Sequence, residues 1–103
     1  MVNFSTMLGR CFVVLIDKRA DARGWGNGEF AQKVWPEDSP KSSATKWAAI
    51  RSRSSNTGKP QGVLLSDAQR MAEALGEDLA YLLAVAKNKA RDADIFNPDM
   101  AQA

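Results

Sequence analysis

Large apolar residues return along this chain at intervals of three and four, the period of a helix face, and nowhere alternate long enough to mark a half-buried strand. Leu8, Phe12, Leu15 and Ile16 form the first such stripe, with Ser5 placed to cap it. Residues 12–16 are β-branched enough to be taken for a strand, but without alternation or a strand partner elsewhere they read as helix. Gly24, Gly26 and Gly28, with Trp25 and Asn27 between them, break the periodicity, because glycine costs too much backbone entropy inside a helix. Asn27 then suits the N-cap of a second helix, Glu29 its positive start, and Phe30, Ala31, Val34 and Trp35 its inner face. Pro36 stops it, and residues 36–40, two prolines enclosing Glu37, Asp38 and Ser39, read as a turn.

A third helix opens at Lys41 or Ser42 and carries Ala44, Trp47, Ala48 and Ile50 on its apolar side. Its other side shows Ser42, Thr45, Lys46, Ala49 and Arg53, small, polar and basic, and is expected to face outward. Residues 52–62 are dominated by turn formers and read as a surface loop. Ser66 and Gln69 match a capping box for a fourth helix, whose stripe is Ala68, Met71, Ala72 and Leu75 and whose left-handed stop is Gly76. Asp78 caps a fifth, with Leu79, Leu82, Leu83 and Ala86 inside and Lys87, Lys89 and Arg91 toward its negative end. The expectation is an all-α domain of five helices over residues 5–90. Residues 91–103 read as a frayed tail, the alternative being that Ile95 and Phe96 dock on the core or on a second subunit.

Length and composition narrow the class without changing this outline. With 103 residues there is room for one core, and 45% hydrophobic with 25% charged residues is the balance of a folded chain. The single cysteine, Cys11, cannot form an internal disulfide, so nothing demands an oxidising compartment and a cytoplasmic location is expected. No apolar run, residues 11–16 included, approaches the roughly 20 residues that cross a bilayer, and the first ten residues lack the pattern of a secretory signal.

Charge is informative through its distribution. The net value is only +2, yet residues 41–60 hold Lys41, Lys46, Arg51, Arg53 and Lys59 with no acid, while residues 1–40 balance and residues 61–103 are net acidic. No carboxylate lies between Asp38 and Asp67, a field suited to a polyanion, although a merely soluble loop would share that composition. The chain has no histidine, which removes most nucleophile and base arrangements and most zinc sites, so no enzyme, metal or cofactor is expected. Its carboxylate pairs, Glu37 with Asp38, Glu77 with Asp78 and Asp92 with Asp94, sit at helix boundaries or on the tail, where capping and solubility account for them. The glycine cluster lacks the feeding strand and the following Gly-Lys-Ser/Thr of a phosphate loop. The basic segment is different: cations gain Coulomb energy at phosphates and release counterions, and Ser42, Ser43, Thr45 and Asn56 add neutral hydrogen bonds to the same backbone. Ala49 keeps the third helix slim enough for a major groove about 12 Å wide.

In this order of parts the chain resembles the Cro and phage-repressor (lambda repressor-like) family of helix-turn-helix proteins. Phe30-Ala31 is similar to the Leu-Ala of that family's second helix, Thr45-Lys46-Trp47 to the end of its recognition helix, and Lys59-Pro60 to the following turn. Most specific is Met71-Ala72-Glu73-Ala74-Leu75-Gly76 followed by Leu79 and Leu82-Leu83. Ala48 stands where members usually carry Glu, and the turn over residues 35–40 is about three residues longer than theirs, by the usual anatomy of the motif. The resemblance implies a sequence-specific binder of double-stranded DNA, a bacterial or phage transcriptional regulator acting as a homodimer on a near-palindromic site. It implies base contacts from Lys41, Ser42 and Lys46 with Thr45 beside them, and a phosphate contact from Asn27. Arg51, Arg53 and Lys59 are expected to steady the backbone, and Trp47 to anchor the core. Two other readings compete. One is an antitoxin-like module holding a protein partner with helix 5 or the tail; the other is RNA binding, for which Trp25 is the one plausible exposed aromatic.

Overall fold

The computed structural model describes the backbone of residues 4–52 and 63–96, with side chains over 7–52 and 63–92. Five helices run in the order α1 (Phe4–Ala22), α2 (Asn27–Val34), α3 (Pro40–Arg51), α4 (Leu65–Leu75) and α5 (Leu79–Phe96), and no strand occurs among the described residues. The all-α class and the count of five follow the periodicity of the sequence. No described helix is long and apolar enough to cross a membrane.

Helix boundaries follow capping chemistry, and here the structure amends several expectations. Ser5 lies inside α1, which begins at Phe4. Asn27 is the first residue of α2, and the N-cap is Gly26, whose backbone is extended and which offers no side-chain acceptor. Proline is favoured at the first helical position because its missing N–H has no partner there anyway; so Pro40 opens α3, one residue before Lys41, with Ser39 Oγ accepting the Ser42 amide at 3.1 Å. The capping box of Ser66 and Gln69 does not form: Leu64 occupies the cap position, Ser66 lies within α4, and the Gln69 amide donates to Glu73 at 2.9 Å. Gly76 closes α4 with φ of 69°, in the left-handed region, its amide and that of Glu77 bonding back to Glu73 and Ala72 as in a Schellman motif. Asp78 Oδ2 accepts the Tyr81 amide at 3.0 Å and starts α5. That helix continues to Phe96, beyond the boundary at residue 90, so Lys87, Lys89 and Arg91 fall before its last turn. Residues 97–103, the remainder of the expected tail, lie outside the described residues, as do the side chains of Ile95 and Phe96.

One core unites the helices. Phe12, Leu15 and Ile16 of α1, Phe30, Ala31 and Val34 of α2, Trp47 and Ile50 of α3, Met71 and Leu75 of α4, and Leu82 and Ala86 of α5 are buried together. Trp47 is 1% exposed and meets Phe30 edge to face with ring centroids 5.1 Å apart, while Trp25 stacks on the far side of Phe30 at 6.3 Å. Such geometry adds about 0.5–1.5 kcal/mol per aromatic pair beyond area burial. Trp47 is therefore the anchor of α3, and Trp25 is half-buried against the core.

Three helix C-termini are closed from a distance by arginines, a device with no local signal in the sequence. Arg10 of α1 donates to the carbonyls of Ile50 and Arg51 at the end of α3, at 2.9 and 2.6 Å. Arg23, just past α1, donates to Leu75 O at the end of α4 at 2.9 Å and, with Arg19, pairs Glu77. Arg70 of α4 donates to Val34 O at the end of α2 at 3.1 Å and pairs Glu37. The last carbonyls of a helix lack intrahelical donors and carry the negative end of its dipole, so a guanidinium satisfies both needs. The result ties α1 to α3 and α4, and α4 to α2.

Candidate nucleic-acid interface

Helices α2 and α3 pack closely on one another across a turn of five residues, 35–39. Trp35 is buried in the turn and its indole N–H donates to Asp67 Oδ1 of α4 at 3.4 Å. The Gln32 side-chain amide spans the same turn, donating to the carbonyls of Trp35 and Asp38 at 3.2 and 3.0 Å. The turn is thus held by side-chain bonds that reach it from α2 and α4 rather than by glycine.

The two sides of α3 separate as the pattern implies. Trp47 and Ile50 face inward, and Lys41, Ser42, Thr45, Lys46 and Ala49 are exposed. Thr45 Oγ1 donates to Lys41 O at 2.9 Å, which folds the hydroxyl back onto its own helix and leaves its lone pairs available. Ser43 departs from expectation: it is 0% exposed, on the inner stripe with Trp47 and Ile50, and its Oγ donates to Pro40 O at 3.1 Å. A side chain so placed cannot reach a phosphate or a base, and the reason is the helical period, since positions 43, 47 and 50 share one face.

The charges around this surface are more balanced than the sequence alone implies. The turn carboxylates lie against it: Asp38 forms an ion pair with Lys46, and Glu37 with Arg70. Lys46 keeps a side-chain exposure of 48% and sits 5.6 Å from the Trp35 ring centroid. Hydrogen bonding to Arg70 and the Glu37 backbone holds the Glu37 carboxyl below its ordinary value, and the same pairing raises Arg70 above the usual arginine range. Lys41 has no ion pair among the described residues. Arg51 is half-buried at the end of α3, its guanidinium 5.7 Å from the Trp47 ring centroid, where it can still contribute charge but little reach.

Asn27 is exposed at the start of α2, where free amides favour anions, but it lines a depression together with two carboxylates, Asp17 and Asp21, and one cation, Lys18, of α1. Those carboxylates oppose a phosphate there. Lys33, which sequence reasoning passed over, is exposed on α2 and lies 4.7 Å from the Trp25 ring centroid, a cation held on an aromatic face. Its signal in the sequence was faint: Trp25 precedes it by eight residues, across the helix start. Arg53, Asn56 and Lys59 lie outside the described residues. The structure therefore gathers Lys41, Ser42, Thr45 and Lys46 on one exposed face, removes Ser43 from it, and places Asn27 beside acids.

No cluster of three or more His, Cys, Asp or Glu side chains suited to a metal ion occurs among the described residues. Comparison of the chain with protein-family models, curated proteins and solved structures finds no match.

Proposed function

We propose that this protein binds double-stranded DNA with the exposed face of α3 in the major groove, as a transcriptional regulator of the Cro and phage-repressor kind. The observation that carries the reading is that face itself: Lys41, Ser42, Thr45, Lys46 and Ala49, with no carboxylate on α3 and Asp38 of the preceding turn paired to Lys46, on a helix fixed from behind by Trp47 and Ile50. Cations on a slim helix held by a packed partner helix supply both the counterion release that drives binding and the donors that read bases. Lys41 and Lys46 suit guanine O6 and N7, with Ser42 and Thr45 hydrogen-bonding beside them. Lys33 joins Arg51 in steadying the phosphate backbone. Action as a homodimer on a near-palindromic operator belongs to the same proposal, and so does repression by occupancy of a promoter.

The deciding experiment is selection from random duplex DNA at a stated salt concentration, followed by affinity measurements on selected and scrambled duplexes. An enriched motif whose preference changes in K46Q, together with a uniform loss in K33Q, supports the assignment. Binding indifferent to sequence, or equal losses from both substitutions on both duplexes, refutes it.

A further inference from the structure

Positions 7, 10, 11, 14, 15 and 18 of α1 fall on one helical stripe, and they line a groove of about 230 Å³ whose side is closed by Lys89 of α5. Met7, Cys11, Val14 and Leu15 supply its apolar surface, and Val14 is 47% exposed there. Among the described residues every other lining group, Arg10, Lys18 and Lys89, is a cation, and none is a carboxylate. Lys18 and Lys89 have no ion pair among the described residues, and Arg10 is bonded only to the carbonyls of Ile50 and Arg51. An apolar trough with these cations at its margin complements a molecule with a hydrocarbon body and an anionic end. Three turns of one helix, ~16 Å at about 1.5 Å rise per residue, make it long enough for an extended medium-length alkyl chain, and its volume is small. An α-helix, about 10 Å across, would lie over such a trough without entering it.

We propose that this groove is a binding site for a medium-chain alkyl carboxylate, with the chain against Met7, Cys11, Val14 and Leu15 and the carboxylate held by Lys18 and Lys89. Binding is non-covalent, and the site is separate from the face of α3. Arg10 lines the trough and its guanidinium closes α3, so an occupant touches the residue that caps the helix proposed to read DNA. Only this last link rests on the DNA-binding reading.

Cys11, the chain's single cysteine, is half-buried in the groove and serves as the reporter. The rate of its modification by a thiol reagent is measured on the full chain with octanoate below its micelle-forming concentration, and in parallel with octan-1-ol and octylammonium. Octanoate should slow modification at concentrations where the alcohol and the amine do not. K18Q and K89Q, both at exposed positions, should each raise the half-protecting concentration about tenfold, equivalent to ~1.4 kcal/mol, with the helical circular dichroism unchanged. Equal protection by octan-1-ol, or none by octanoate, overturns the proposal. So does an acid-rich amphipathic peptide that protects at lower concentration than octanoate, which assigns the surface to a protein partner. A wild-type dimer that V14D converts to monomer, with Cys11 newly reactive, assigns it to a second copy and also overturns the proposal.

Discussion

Arg10 offers the sharpest test of how α3 is held. Its guanidinium reaches 40 and 41 residues along the chain to donate to Ile50 O and Arg51 O, both partly buried. Replacing it with methionine keeps most of the apolar stem and removes the fork, so packing changes little while two terminal carbonyls lose their donor. A hydrogen bond to a charged group contributes about 1.5–3 kcal/mol net, and a cation at a helix C-terminus about 0.3–1 kcal/mol. The two bonds share one partly solvated group, so R10M should cost roughly 2–3 kcal/mol in all, against a total of about 5–15 kcal/mol for a domain of this kind. R10K keeps the charge but not the planar fork and should recover less than half of the loss. Urea unfolding followed by circular dichroism gives the free energies, and at about 4–8 °C per kcal/mol the melting temperature of R10M should fall by roughly 8–24 °C. Amide exchange in residues 48–52 should accelerate more than in α2, because the capped end frays first. An R10M protein within about 0.5 kcal/mol of wild type, with unchanged exchange at the end of α3, would refute the capping argument.

Other perturbations test the remaining links. W47A empties the space of the largest fully buried side chain and should cost about 3–5 kcal/mol in urea unfolding, whereas W47F should cost clearly less. G76A meets no atom within 4 Å of the added carbon but must hold a φ of 69°, so its expected cost of about 1 kcal/mol is backbone strain alone; a neutral result would contradict it. Glu37 has a folded-state pKa below its ordinary 4.5, so its contribution is present above that value and lost as pH falls through the lowered one. Stability curves of wild type and E37Q between pH 6 and 2, in units set by this titration, should therefore converge at the acid end; parallel curves would count against the pairing with Arg70. D38N frees Lys46 from its ion pair and removes a negative charge beside the exposed face of α3, so duplex affinity should rise and the slope of log K against log salt should steepen by up to ~0.9; weaker binding would show that Asp38 positions Lys46 for DNA.

The sequence by itself determined what depends on neighbours within one or two turns. The five helices, the burial of Phe12, Phe30, Trp47, Met71 and Leu82, the left-handed stop at Gly76 and the cap by Asp78 are all written in spacings of a few residues, because helical period and terminal hydrogen bonds are local. On α3 the exposure of Ser42, Thr45, Lys46 and Ala49 was legible, while Arg53, expected on the same face, lies past the end of the helix and outside the described residues; Ser43 was misleading, since its polarity suggested solvent although its position, four before Trp47, put it inside. Competing caps were the weakest part, since Asn27 against Gly26 and Ser66 against Leu64 differ by small energies that packing readily overrides. What only the tertiary structure decided is long-range pairing. Arg10, Arg23 and Arg70 find carbonyls 36 to 52 residues away, and Trp35 finds Asp67 32 residues on. Lys46 is tied to a carboxylate of the preceding turn by the way α3 leaves it. Charged and polar side chains on an exposed helix face carry no periodic signature of their partners, so their roles appear only when the apolar stripes have brought the helices together.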